Sequence, residues 1–208
     1  MKLRKRLIAL TMAAACAATA FAGAAYTDQS SIKIDSRIVD ALVQKKLFVG
    51  YGDGSFKPDK PVTRAEMAKI LYTLRTEGGT DATTYAEKMS TSFTDVNNHW
   101  ASGYIKYCQA YGIISGKSST VFAPDAAVTT VEAAKMLLVV SGFDPKENNL
   151  TGPQWKANTM RCAAEDQLLL NGVNVGIDDP LPRQYAAQMV FNTATTYLSH
   201  EQTEIYGW

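Results

Sequence analysis

Histidine is close to absent from this chain, with only His99 and His200 among 208 residues. A histidine-based zinc centre or a Ser-His-Asp triad therefore has almost nothing to be built from. No paired carboxylates or activated nucleophile appear beyond isolated acids, so an enzyme is not expected. Long apolar runs are missing too: the one candidate, Leu7 to Phe21, is about fifteen residues and falls short of the ~20 that a membrane-spanning helix requires. Charge of one sign is also lacking, with 21 basic and 20 acidic residues and a formal net charge of +1. No basic stripe is present to suit nucleic acid. Two further absences are matters of spacing. Gly112-Ile113-Ile114-Ser115-Gly116-Lys117-Ser118 looks like a phosphate loop, but three residues separate its glycines where such a loop needs four. Asp53-Gly54-Ser55 lacks the further oxygen ligands of a calcium loop, so neither a metal nor a cofactor is expected.

What is present begins with an export signal. Lys2, Arg4, Lys5 and Arg6 form a basic start, Leu7 to Phe21 an apolar stretch, and Ala22-Gly23-Ala24 a small-residue cleavage site. Residues 1–25 are expected to be removed and the mature chain to be exported. Losing those four cations leaves the 20 acidic residues in excess, which again argues against nucleic acid. With about 183 mature residues, one domain with a real core is expected, and a second does not fit.

The chain is organised around Gly50 to Leu74. Gly50, Gly52 and Gly54 permit a tight turn, Pro58 and Pro61 stiffen its return, and Thr63 with Glu66 forms a capping box that opens a helix. Met67, Ile70, Leu71 and Leu74 make an apolar face, leaving Arg64, Lys69 and Arg75 on other faces. Sixty-six residues on, the unit recurs without gaps. Gly50, Phe56, Pro58, Val62, Thr63, Glu66 and Ala68-Lys69 map onto Gly116, Phe122, Pro124, Val128, Thr129, Glu132 and Ala134-Lys135. Such a unit cannot bury its apolar face alone and is expected to stack with its copies.

Phe93-Thr94-Asp95, His99-Trp100-Ala101, Gly112 to Gly116, Phe122-Ala123-Pro124 and Thr63-Arg64-Ala65-Glu66 together resemble the S-layer homology family. The resemblance covers nearly all of the chain after residue 25. It implies a mostly helical, pseudo-threefold trimer of helix-loop-helix repeats around a central helical bundle. The expected repeats are 26–76, 92–143 and a worn third at 150–198, with a tail at 199–208. Tyr26-Thr27-Asp28 stands where the second repeat has Phe93-Thr94-Asp95. In the third, Trp155 matches Trp100 and Leu181-Pro182-Arg183 stands for Val-Thr-Arg, but the Phe-x-Pro anchor and the capping box are gone. Helices are expected at Ser36 to Lys46, His99 to Ala110 with Trp100, Ile105 and Cys108 inward, and Thr130 to Val140. Residues 76–92 are expected to be a polar surface linker. Cys108 and Cys162 each sit in the first helix of a repeat and read as buried thiols, with a disulfide as the alternative.

The function that the resemblance implies is noncovalent anchoring to a bacterial cell wall, through grooves between repeats that bind an acidic, often pyruvylated, secondary wall polysaccharide. Arg64 is the leading candidate for its carboxylates, because a guanidinium donates two parallel hydrogen bonds. By resemblance, Asp28 and Asp95 accept from sugar hydroxyls and Trp100 lines the groove or packs in the core. Backbone groups from Gly50 through Tyr51 to Gly52, and at Gly116, meet ligand oxygens, with Arg183 as a further cation. Thr130 stands where Arg64 stands in the first repeat, so one groove is expected to lack its cation. The alternatives are a self-assembling surface-layer protein that pairs with other subunits without binding glycan, or the anchor part of a wall-associated enzyme.

Overall fold

Two helices begin in the same way. Thr63 Oγ1 accepts from the Glu66 backbone N–H at 3.1 Å while the Glu66 carboxylate accepts from the Thr63 N–H at 2.8 Å, and Thr129 and Glu132 repeat the exchange at 3.4 and 3.2 Å. Each box satisfies two N–H groups that a helix start otherwise leaves unpaired. A computed structural model describes residues 26–165 and 169–196. The expected export signal at 1–25 and tail at 199–208 lie outside the described residues.

The helices are α1 (Ser36–Gln44), α2 (Arg64–Arg75), α3 (Thr83–Lys88), α4 (Ser102–Ala110), α5 (Thr130–Val140), α6 (Trp155–Glu165) and α7 (Arg183–Thr196). Among the described residues there is no strand, only isolated bridges, so the protein is mostly helical. α5 spans the expected residues. α1 stops short of Lys46, which takes a left-handed φ of 60°. α4 starts after His99, whose ring Nδ1 instead accepts from the Ala101 N–H at 3.1 Å. Pro182 stands at the cap position before α7 and not inside it, in the place that threonine fills before α2 and α5.

α2 is not an amphipathic surface helix. Arg64, Ala65, Met67, Ala68, Ile70, Leu71, Tyr72, Thr73 and Leu74 are all buried, so Arg64 lies on a packed side and not an outer one. The reason is position: α5 packs against both α2 and α7, and the outer helices seal what remains. They do so crosswise. α2 packs on α4, α5 on α6, and α7 on α1, so each pair lends its second helix to the first helix of the next.

Main-chain hydrogen bonds follow the same circuit. The N–H of Val62 donates to Leu181 O (3.0 Å), that of Leu181 to Val128 O (2.9 Å), and that of Val128 back to Val62 O (2.9 Å). One turn out, Arg64 N–H donates to Ala126 O, Thr130 N–H to Asp179 O and Arg183 N–H to Lys60 O, at 2.9, 3.2 and 2.9 Å. Each helix start is thereby seated on the turn of the following pair, which satisfies further orphan N–H groups. Phe56 and Phe122 are fully buried at equivalent places under these turns. Burying such a ring contributes about 1.5–3 kcal/mol.

The polar linker is more structured than expected. It carries α3, which packs on α4 and sets Tyr85 edge-on to Tyr72 and Tyr107. Cys108 and Cys162 are buried, free thiols. Their helices face α2 and α5 respectively, and Cys108 Sγ lies 3.5 Å from Ala68 O.

Candidate functional site

The turns come first, because they shape the grooves. Tyr51 N–H donates to Ser55 O at 2.8 Å, and of the turn's three glycines only Gly54 takes a positive φ, 78°. The middle residue of each Phe-x-Pro is also left-handed: Lys57 at 55° and Ala123 at 59°. Such angles cost energy in residues with a side chain, and a carboxylate compensates. Asp28 accepts from the N–H of Phe56 (2.9 Å) and Lys57 (2.8 Å), and Asp95 from those of Phe122 (3.0 Å) and Ala123 (2.7 Å). Both acids were expected to meet sugar hydroxyls; each also holds its turn, accepting one N–H on each carboxylate oxygen. Gly116 is required for space, since a Cβ there would lie 2.4 Å from Ser118 O and 2.6 Å from Val121 O. At Gly52 a Cβ would meet nothing within 4 Å.

The first groove, of about 190 Å³, draws on all three helix pairs: Gly50, Tyr51, Glu66 and Lys69 from the first, Trp100 from the second and Arg183 from the third. Trp100 is 57% exposed, so the inward placement expected for it does not hold; it stands as a free indole face on the rim. Arg183 is 7% exposed and lies 5.1 Å from the Tyr51 ring centre and 5.0 Å from that of Phe56. One of its terminal nitrogens donates to Val49 O at 2.6 Å, while its Nε–H has no partner. Burial lowers its pKa from the ordinary value, and Tyr51 and Glu66 oppose that. Lys60 donates to the Tyr51 hydroxyl at 3.0 Å and to Glu66 at 3.1 Å.

Arg64 does not belong with Gly50. It crosses to the second turn, where Nε donates to Phe122 O at 2.8 Å, one terminal nitrogen to Ser115 O at 2.7 Å, and the other lies 3.6 Å from Glu132. Only 2% of its surface is exposed. Burial lowers its pKa, against Glu132 and Asp95. Around this second turn Lys117 takes the place of Tyr51 and pairs with Glu132, while Lys135 lies 5.2 Å from the Trp155 ring. Thr130 occupies the third equivalent place, its backbone seated on Asp179 and its buried hydroxyl unpaired. The missing cation is therefore at the third turn and not the second. Lys69 and Lys135 were not among the expected site residues, although their identity at the repeat offset of Ala68-Lys69 marked them.

The fold and groove define a helical repeat module in which each helix start is seated on the turn of the next pair, with Arg183 at the first turn, Arg64 at the second and Thr130 at the third. Its sequence says which module. The family model described as "S-layer homology domain" matches residues 25–68 and 92–134, so the chain carries two S-layer homology repeats. It is 35% identical over 101 residues to a cellulosome-anchoring protein of Acetivibrio thermocellus, covering 46% of this chain and 21% of that protein. It is 29% identical over 192 residues to a surface layer protein of Brevibacillus choshinensis, covering 89% of this chain and 16% of the relative. A cell surface protein of Thermoanaerobacter kivui is 30% identical over 189 residues, covering 88% and 24%. The chain thus spans only about a fifth of the length of these relatives.

Proposed function

We propose that the chain is a non-catalytic anchor that holds an acidic, pyruvylated wall polysaccharide in grooves between its repeats, at the bacterial cell surface. The observation that carries this reading is the convergence of Tyr51, Trp100, Lys69 and Arg183 from three helix pairs on one groove. Tyr51 and Trp100 offer apolar faces to sugar rings. Arg183 and Lys69 offer charge to a carboxylate, and the guanidinium adds geometry that an ammonium lacks. Relatives described as anchoring and surface layer proteins support the same role and location. The circuit of main-chain bonds supports a pseudo-threefold trimer, with 150–198 as a third, worn repeat. Residues 1–25 serve as the export signal.

The test is co-sedimentation of the exported protein with purified walls at fixed ionic strength. Arg183→Ala and Trp100→Ala are each expected to weaken binding about tenfold, the loss of one charge-assisted bond or one ring contact. Unchanged binding by both, with folds intact, overturns the assignment of the groove. The surface layer relatives favour a second reading, assembly with other surface-layer subunits without glycan. Sedimentation of the protein in the absence of walls separates the two.

A further inference from the structure

Behind Trp100, on the side away from the first groove, lies a second cavity of about 410 Å³, walled by the linker before the second repeat and the start of α4. The linker is fastened in place. The hydroxyls of Tyr104 and Tyr72 donate to Thr80 O and Asp81 O, and Lys106 Nζ donates to Ala86 O at 2.7 Å. Gly103 lets the two backbones meet, since a Cβ there would lie 2.0 Å from Ala82 O. The volume falls in the range of roughly 300–1,000 Å³ typical of small-ligand sites.

The lining states the ligand's chemistry. Asn97 and Asn98 supply amides, Thr83 a hydroxyl, Asp81 a carboxylate, His99 an imidazole and Trp100 an apolar face; no lysine or arginine is among the lining residues. Ser102 is 4% exposed, with its hydroxyl buried beneath the cavity wall. With Asp81 present and His99, the one lining residue able to carry positive charge, already engaged with Asp125 at 3.1 Å, an acidic sugar is disfavoured here. Trp100 lines both the groove and this cavity, so one indole separates them.

We infer that this cavity is a second saccharide subsite, which takes a neutral pyranose unit of the polymer whose acidic unit lies in the first groove. The inference rests on the anchoring function proposed above. Its test uses purified wall polysaccharide, native and with its carboxylates converted to neutral amides, titrated into the full chain, with calorimetry and backbone-amide NMR as readouts. The amidated polymer is expected to bind more weakly than the native one, yet still to shift the amide signals of Thr83, Asn98 and Gly103. Ala86→Phe, which fills the cavity from the linker side, is expected to lower affinity for the native polymer roughly threefold to tenfold and to abolish the residual binding of the amidated one. Arg183→Ala keeps that residual binding. Thr83→Tyr serves as a second blocking variant should Ala86→Phe fail to fold. If the native polymer binds but the cavity signals stay still and the blocking variant binds normally, the subsite is refuted and the groove stands. If the native polymer does not bind the wild type at all, both fall together.

Discussion

Replacing Arg64 with alanine tests whether that side chain is chiefly a clamp between repeats. The substitution removes two charge-assisted bonds to main-chain carbonyls, Phe122 O and Ser115 O, and leaves the acceptor on the buried Phe122 without that donor. Each such bond contributes about 1.5–3 kcal/mol, and the Glu132 contact at 3.6 Å adds little because Lys117 still pairs with that carboxylate. A loss on the order of 3–5 kcal/mol is therefore expected, a large part of the 5–15 kcal/mol typical of a domain. In a chain of this size it lowers the melting temperature by on the order of 10 °C. Arg64→Lys retains the charge but not the fork, and recovers less than half. Arg183→Ala is the internal control, because Arg183 makes one main-chain bond and carries an unpaired Nε–H. Its loss is expected to cost about 1.5–3 kcal/mol in stability, less than Arg64→Ala, together with the loss of about tenfold in wall binding given above. Urea unfolding followed by far-ultraviolet circular dichroism measures the stabilities. An Arg64→Ala change below about 1 kcal/mol, the scale of an ordinary point mutation, refutes the clamp.

Asp95 carries a pH dependence. Burial raises its pKa, but the N–H groups of Phe122 and Ala123 outweigh that and hold it below the ordinary 3.8. A lowered folded-state value stabilises above the unfolded value and is lost as pH falls through the folded one. The wild type is thus expected to lose this stabilisation as pH falls below 3.8, while Asp95→Asn lacks it already at neutral pH, as acid titration of the unfolding midpoint reports. The crosswise helix packing predicts a single calorimetric transition for the whole chain, and no cooperative unfolding from a fragment of residues 26–75. Burial raises the Cys108 thiol pKa well above its usual value, so a thiol reagent at pH 8 is expected to leave Cys108 unmodified until denaturant unfolds the chain. Rapid labelling of the native protein would contradict the packing of α4 on α2.

Local features were the most legible in the sequence. The capping boxes and the extent of α5 follow from residues within one turn of each other, and the gap-free offset between Gly50 and Gly116 exposed the repeat. What stayed hidden was which parts meet. Arg64 is fourteen residues from Gly50 and reads as its neighbour, yet main-chain bonds seat it on the following turn, so the first and second turns each take their arginine from another pair. Asp28 and Asp95 were recognisable as a motif. Their role in holding Lys57 and Ala123 left-handed was not, because nothing in Phe-x-Pro announces a positive φ. Trp100 was ambiguous for a general reason: an indole beside a helix start suits a core and a rim equally, and only the placement of α4 decides.

The circuit that links Val62, Leu181 and Val128 is written entirely in peptide groups. Every residue except proline carries the same N–H, and every residue the same C=O, so the joint tolerates drift in the side chains around it. The third pair shows the result: with a proline at its cap position, Ile177 in the place of Pro124 and no Phe-x-Pro, it keeps its seat through Val131 N–H to Ile177 O at 2.9 Å. A fold closed in this way lets its grooves diverge independently, one keeping an aromatic, one gaining a lysine and one losing its cation, while the assembly that presents them is unchanged.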